Sequence, residues 1–192
     1  MKLVFATHNK NKLQEIIEMV PGGIEILSLS DINCNEDIEE TGLTLKENAR
    51  IKVAYVKEKY GFDCFSDDSG LEIEALNGAP GVHSARYAGN DKNNESNIQK
   101  VLDNLINLKD KRAQFRTIIA ADVMGEKLIF EGIVKGKIID IKKGNSGFGY
   151  DPIFIPEGYT QTFAQLGENI KNSISHRSKA FNSFINSLNT GI

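Results

Sequence analysis

Short apolar runs alternate with helix-periodic segments along this chain, and that alternation restricts it to a small set of folds. The first run, KLVFA at residues 2–6, is typical of a buried strand. The segment after it carries apolar residues at the spacing of one helix face: Leu13, Ile16, Ile17 and Val20. Because strand and helix patterns keep alternating, the sequence predicts an α/β protein built on a mixed sheet.

The second helix is predicted from both of its ends. Thr44 and Glu47 have the spacing of a capping box, in which each side chain satisfies a free backbone N–H group near the other. Gly61 is expected to end the helix. Its apolar stripe consists of Leu45, Ala49, Val53, Val56 and Tyr60. Asn48 and Lys52, four residues apart, are interpreted as part of its solvated face.

The second half of the chain continues the same alternation. FRTIIAADV and KLIFEGIV are predicted to be antiparallel strands joined across the short MGE connection. Two further helices are expected around the apolar sets Ile98, Val101, Leu102 and Leu105, and Ala180, Phe181, Phe184 and Leu188. No repeat or Pro/Gly/Ser-rich linker interrupts the chain, so a single domain covering residues 1–192 is predicted.

Composition and charge argue against several classes of protein. The net charge is -3, and no dense Lys/Arg block is present, so a nucleic-acid partner is not expected. Cys34 and Cys64 form no CxxC pair, which argues against a disulfide scaffold or a structural zinc site. The apolar start is too short for a signal peptide, and no run approaches the ~18 residues of a membrane span. A cytoplasmic protein is expected.

Acidic residues cluster at two places. Asp67 and Asp68 are expected at the end of a strand in FSDDSG, where two readings stay open: an oxygen site for Mg²⁺, or an Asp-rich turn capped by the serine. In a metal site, a divalent cation would neutralise the pair, and without metal their repulsion should raise one pKa. Glu39 and Glu40 precede the second helix, where acids are favourable on electrostatic grounds alone or could bind a metal.

Three other segments carry groups suited to a nucleotide. THNKNK joins the first strand to the first helix, and its donors suit phosphate oxygens, although an Asn-capped turn has the same composition. GFGYDP places aromatics beside glycines, which can lie flat on a planar ring, with Asp151 able to accept ring N–H groups, although a tight turn with aromatic packing has the same composition. NIKNSISHRSKA adds cationic groups around Ser175, a predicted helix cap. Together the segments are typical of a nucleoside triphosphate site.

Five motifs in order resemble the inosine/xanthosine triphosphate pyrophosphatase family: THNKNK, EETGLTLKENARIK, SDDSGLEIEALNGAPGVHSARYAG, FGYDPIF and SISHRSKA. The resemblance extends from residue 3 to about residue 188. It implies an α/β fold with an elongated mixed β-sheet, flanking helices in two lobes and an active-site cleft between them. It also implies a Mg²⁺-dependent, cytoplasmic homodimer that converts ITP, dITP and XTP to the monophosphate and pyrophosphate, removing deaminated purines from the nucleotide pool.

The resemblance also assigns roles to individual residues. Asp68 matches the proton acceptor and a metal ligand, and Glu39 matches a second ligand, although its neighbour Glu40 leaves that assignment open. Ser69 matches a substrate contact. The remaining substrate-binding positions are Thr7, His8, Asn9, Lys10, Asn11 and Lys12 for phosphate, and Phe148, Gly149, Tyr150, Asp151, Lys171, His176 and Arg177 for the base.

Selectivity is expected to depend on the 6-position of the purine. Inosine and xanthosine carry a carbonyl there, which a donor such as Arg177 or His176 can bond, whereas the amino group of adenine would face a second donor. Two other functions remain open. One is a pyrophosphatase for other altered nucleotides, such as modified pyrimidines, and the other is a nucleotide sensor that binds without turnover.

Overall fold

The computed structural model describes residues 1–190, and within that range six strands form one sheet in the order β2-β1-β3-β4-β5-β6. The strands are β1 (Lys2–Phe5), β2 (Glu25–Leu27), β3 (Cys64–Ile73), β4 (Arg112–Val123), β5 (Glu126–Ile138) and β6 (Phe154–Pro156). The α-helices are α1 (Lys10–Met19), α2 (Leu45–Tyr60), α3 (Asn94–Leu105), α4 (Phe163–Ile174) and α5 (His176–Asn189).

Parallel and antiparallel pairs occur in the same sheet, so the predicted mixed α/β fold is confirmed. β1 is parallel to both β2 and β3, and β6 is antiparallel to β5. β4 and β5 are neighbours joined only by Met124 and Gly125, both with positive φ, as a tight hairpin turn requires. A two-residue connection can join only antiparallel strands. The predicted hairpin is therefore also confirmed.

The helix ends follow from capping. Asn9 caps α1 by accepting hydrogen bonds from the backbone N–H groups of Asn11 and Lys12. Thr44 and Glu47 form the predicted capping box, and Gly61 ends α2 in the left-handed conformation. α4 was not predicted, because Gly167 at φ 79° divides it into two pieces too short to show a helical period. No helix within residues 1–190 has both the length and the apolar character to cross a membrane.

One strand expectation is wrong. FSDDSG does not end a strand or form a turn, because β3 runs without interruption from Cys64 through both aspartates to Ile73. Aspartate is depleted in strands because an unpaired carboxylate is costly on a buried surface. Here Lys12 and Lys52 lie beside the two carboxylates, so the backbone can remain extended. The charges that allow this come from segments far away in sequence.

The chain folds into two compact units. The first unit contains residues 1–68, residues 117–132 and the chain from Ser178 onward, and the second contains residues 69–116 and 133–177. The core of the first unit includes Phe5 and Phe65, stacked with ring centroids 4.7 Å apart. Ala180, Phe181 and Phe184 of α5 pack into the same core, as predicted. The core of the second unit is built from Leu71, Ile73, Ile98, Val101, Leu105, Phe115, Phe154 and Phe163.

Cys34 and Cys64 are both buried free thiols. Burial raises the pKa of the Cys64 thiol to about 12. At about pH 8 only about one Cys64 in ten thousand is then a thiolate. We expect iodoacetamide to leave Cys64 unmodified in the native protein and to alkylate it in guanidinium chloride, as measured by peptide mass mapping. Rapid native labelling would contradict this burial.

Candidate active site

Asp67 and Asp68 are buried side by side in β3, and each lies near a lysine. The Asp67 side chain is fully buried, and its Oδ1 accepts a hydrogen bond from Lys12 Nζ at 3.0 Å. Asp68 is 8% exposed, and its Oδ1 lies 4.0 Å from Lys52 Nζ. Two carboxylates in a strand interior require compensating positive charge. The structure supplies it through two ammonium groups.

Lys52 connects three acids from two segments of the chain. Its buried Nζ donates to Glu40 Oε1 at 2.6 Å and to the backbone carbonyl of Asp67 at 2.8 Å. Burial by itself would lower the pKa of Lys52, but the charges of Asp68, Glu40 and Asp67 outweigh that effect and raise it. Lys52 is therefore a permanent cation at neutral pH.

Asp68 has a raised pKa, in the direction expected for one member of an acid pair. The largest cause is burial, which disfavours the charged carboxylate, and the charges of Glu40 and Asp67 act in the same direction. Lys52 and Lys12 oppose the shift. The sequence interpretation attributed this shift to repulsion alone. The structure adds desolvation as the main cause.

The EETG loop places one of its two glutamates at this cluster. Glu40 is half-buried and bonded to Lys52, whereas Glu39 is exposed. Metal binding by Glu39 stays a prediction, and the observed contacts favour Glu40 as the acid paired with Asp68. No group of three or more His, Cys, Asp or Glu side chains in residues 1–190 is arranged to hold a metal ion.

Placing Asn48 and Lys52 on the solvated face of α2 was wrong. Both are buried, and Asn48 Nδ2 donates to Asp68 Oδ2 at 3.3 Å. The sequence did contain a signal, because positions 48 and 52 lie along one edge of the apolar stripe rather than opposite it. The buried positions of α2 are Leu45, Asn48, Ala49, Lys52, Val53 and Val56. Polar residues at core-facing positions indicate a buried polar site.

The THNKNK loop forms the capped start of α1. The cap occupies two backbone N–H groups of the loop that could otherwise bind phosphate. Asn9 Oδ1 accepts from the N–H groups of Asn11 and Lys12 at 3.0 and 3.2 Å, and Thr7 Oγ1 accepts from Asn9 N. His8 Nε2 lies 2.9 Å from the carbonyl oxygen of Glu36. Lys10 is exposed at the first position of α1. The Asn-cap reading of this loop is confirmed, and phosphate binding stays a prediction.

A buried ion pair organises the FGYD segment of the second unit. Asp151 Oδ2 lies 2.5 Å from Lys171 Nζ, and each side chain is 3% exposed. The same oxygen accepts a hydrogen bond from the backbone N–H of Phe148 at 2.9 Å. Gly149 lies between them at φ 60°, a conformation that costs glycine little and other residues more. The turn therefore holds the Phe148 backbone against the ion pair.

The Phe148 ring lies beside two of the predicted cationic residues. Lys171 Nζ is 4.5 Å from its ring centroid, and Arg177 Cζ is 5.7 Å from it. Arg177 is buried, and its Nη2 donates to Ser69 Oγ at 3.1 Å. The structure thus brings Ser69, Phe148, Lys171 and Arg177 together. Because Phe148 is only half-buried, its ring is the accessible aromatic surface of this group.

Two of the predicted base-binding residues have buried side chains that contact other residues of the protein. Tyr150 is buried, and its hydroxyl donates to the backbone carbonyl of Ser84 at 2.8 Å. His176 is also buried, with its ring stacked on Phe115 at a centroid distance of 4.7 Å and an angle of 10°. Both anchor the segments that carry Phe148 and Arg177. Their direct contact with a base stays a prediction.

The six-stranded mixed sheet places this chain in the α/β class of proteins. Within that class its distinguishing feature is the pair of buried carboxylates in β3, Asp67 and Asp68, with lysines beside them. Comparison with known sequences then identifies the family. A sequence model of the Ham1 family matches residues 3–187, so this chain belongs to the Ham1 family.

Individual relatives agree over nearly the full length. A dITP/XTP pyrophosphatase from Christiangramia forsetii is 58% identical over 181 residues, covering 94% of this chain and 95% of that relative. One from Flavobacterium johnsoniae is 55% identical, with 98% of each covered. Among solved structures, the Ham1 protein of Staphylococcus aureus is 40% identical with a TM-score of 0.90 over 100% of both chains. The HAM1 protein of Coxiella burnetii is 38% identical with a TM-score of 0.91 over 99% of each.

Proposed function

We propose that this chain is a nucleoside triphosphate pyrophosphohydrolase that converts dITP, ITP and XTP to the monophosphate and pyrophosphate. The relatives named dITP/XTP pyrophosphatase support the reaction, since they are 58% and 55% identical to this chain over 94% and 98% of its length. The observation that carries the proposal is Asp68, a buried carboxylate with a raised pKa held between Asn48 and Lys52. Such a group is suited to accept a proton near neutral pH.

The donor set fits Mg²⁺. Asp68 and one glutamate of the EETG loop provide two carboxylates, and Mg²⁺ commonly takes one or two from a protein and fills its other positions with water and phosphate oxygens. Glu40 is the better placed of the two glutamates, because its carboxylate is bonded to Lys52 and the ammonium group of Lys52 also lies beside Asp68. When bound, Mg²⁺ offsets the negative charge that develops on the α-phosphate and on the departing pyrophosphate.

Asp68 acts as the general base. Its carboxylate takes a proton from a water molecule while the water oxygen bonds to the α-phosphorus. The bond between the α-phosphorus and the bridging oxygen breaks, and the bridging oxygen leaves with its electron pair as part of pyrophosphate. The loop from Thr7 to Lys12 binds the phosphate chain, and Lys12 also donates a hydrogen bond to the buried Asp67 carboxylate. Asp67 itself is fully buried, which suits support of β3 more than contact with substrate.

Phe148 provides the surface on which the purine stacks, and Lys171 and Arg177 beside it provide donors for the 6-carbonyl. Adenine presents an amino donor at that position, so its binding would leave two donors facing each other. A site built around a hydrogen bond to one substrate can reject the mismatched one by up to about 10⁴-fold. The 6-carbonyl is therefore the proposed basis of selectivity against dATP.

A substrate panel tests this proposal. Pyrophosphate release by the purified protein with Mg²⁺ is measured for dITP, XTP, dGTP, dATP and dTTP. We expect kcat/KM for dITP and XTP to exceed that for dATP and dTTP by at least about 100-fold. Equal rates on all five nucleotides would support the hydrolase activity and refute the proposed selectivity for the purine 6-carbonyl. Turnover of modified pyrimidine nucleotides alone would favour the related pyrophosphatase, and binding without turnover would favour a sensor.

A further inference from the structure

Asn48 has a buried side chain with a specific partner at each end of its amide. It is 1% exposed, its Nδ2 donates to Asp68 Oδ2 at 3.3 Å, and its Oδ1 accepts from the backbone N–H of Gly42 at 2.8 Å. The two partners fix the orientation of the amide, because only oxygen can accept from Gly42 and only nitrogen can donate to a carboxylate. Asn48 therefore links Asp68 to the EETG loop.

The loop end of this link depends on close packing. A Cβ atom at position 42 would lie 2.6 Å from Glu47 Cβ, 2.7 Å from Asn48 Oδ1 and 3.0 Å from Asn48 N. Only glycine lets the loop approach the first turn of α2 so closely. Glu40, the acid bonded to Lys52, lies two residues before Gly42. The position of Glu40 is thus tied to α2 through Gly42 as well as through Lys52.

We infer that Asn48 is a positioning residue that sets the distance and orientation between Asp68 and the glutamate of the EETG loop. In this role it acts through the Asp68 carboxylate, to which its amide is bonded. The inference rests on the proposed function for its catalytic consequence and on the proposed metal site for its consequence in metal binding, whereas the link from Asp68 to Gly42 is seen in the geometry. Removing a residue that orients a metal ligand typically weakens metal affinity by about 10–100-fold.

The test is the affinity of the protein for Mn²⁺, used alone as a paramagnetic probe and titrated by electron paramagnetic resonance. We expect Asn48→Ala to weaken Mn²⁺ binding by about 10–100-fold. We also expect kcat for dITP to fall at saturating metal, because the carboxylate that accepts the proton is no longer held in orientation. In an Asp68→Asn background, Asn48→Ala should change Mn²⁺ affinity little further, because the carboxylate that Asn48 orients toward the metal is already absent.

Asn97 offers a matched control. It is 2% exposed and also uses both ends of its amide, accepting from Ala88 N at 2.6 Å and donating to the Ala85 carbonyl at 3.0 Å. It lies in the second unit, among residues that have no proposed role in metal binding. Asn97→Ala should lower the melting temperature about as much as Asn48→Ala and leave Mn²⁺ affinity unchanged. Asn48→Leu, which keeps most of the volume and removes both bonds, replaces Asn48→Ala if that variant does not fold.

The outcomes separate the inference from the proposed function. Equal destabilisation by the Asn48 and Asn97 variants with unchanged Mn²⁺ affinity would overturn the positioning role, even if the wild type hydrolyses dITP. Absence of Mn²⁺ binding by the wild type would overturn it as well. A wild type whose Mn²⁺ affinity depends on Asn48 and Asp68 but that releases no pyrophosphate would refute the proposed function and leave the positioning role intact.

Discussion

Asp68→Asn is expected to reduce pyrophosphate release from dITP by at least about 10³-fold while nucleotide binding changes by less than about tenfold. General bases typically contribute 10²–10⁴-fold, and this substitution also removes a proposed metal ligand. Asparagine keeps the shape of the side chain and an oxygen that can still accept from Asn48 Nδ2. Rates are measured at saturating Mg²⁺, and binding is measured by calorimetry with dITP under the same conditions.

Stability separates a chemical effect from a folding defect in this variant. Because burial raises the pKa of Asp68, its charged form is disfavoured in the folded protein, and a neutral amide there should not lower the melting temperature by more than a few degrees. Asp122→Asn is the control, because Asp122 is likewise buried in the first unit, near Lys57 rather than Lys52. It should retain at least about half of the wild-type rate. An active Asp68→Asn variant would remove Asp68 from the mechanism.

Local signals made much of the fold predictable. The capping box of Thr44 and Glu47, the glycine after α2 and the apolar stripes of α1 and α5 are each encoded within a few neighbouring residues. Such features need no tertiary partner to be recognised. α4 was missed because a positive-φ glycine interrupts it, which leaves each half without a readable period.

The candidate site was predictable in its residue types but not in its contacts. Asp68 was identified from sequence, whereas the buried positions of Asn48 and Lys52 were not, because their partners are 15–20 residues away in the chain. Asp67 could not be interpreted without Lys12, which is 55 residues away. A charged residue in isolation reads as solvated surface or turn. Its burial depends on a counter-charge that only the folded chain brings near.

The largest effect on stability is expected at Asp151. Asp151→Ala should lower the free energy of unfolding by about 3–5 kcal/mol, because it leaves the Lys171 ammonium buried without its carboxylate. The Phe148 N–H group also loses its acceptor. For a chain of this size the melting temperature should fall by about 6–20 °C. Thermal and urea unfolding followed by circular dichroism measure both quantities.

A double variant and an exposed control show whether the buried charge is the cause. Asp151→Ala combined with Lys171→Met should recover most of the lost stability, because no unpaired ammonium then remains in the interior. Asp110→Ala removes an acid paired with exposed Arg112 and should leave the melting temperature nearly unchanged, because solvent screens an exposed ion pair. If the double variant is as unstable as Asp151→Ala, the turn around Phe148, rather than the ion pair, stabilises this segment. Recovery of stability without recovery of the preference for dITP over dATP would instead show that Lys171 is needed to recognise the 6-carbonyl, separately from its contribution to the fold.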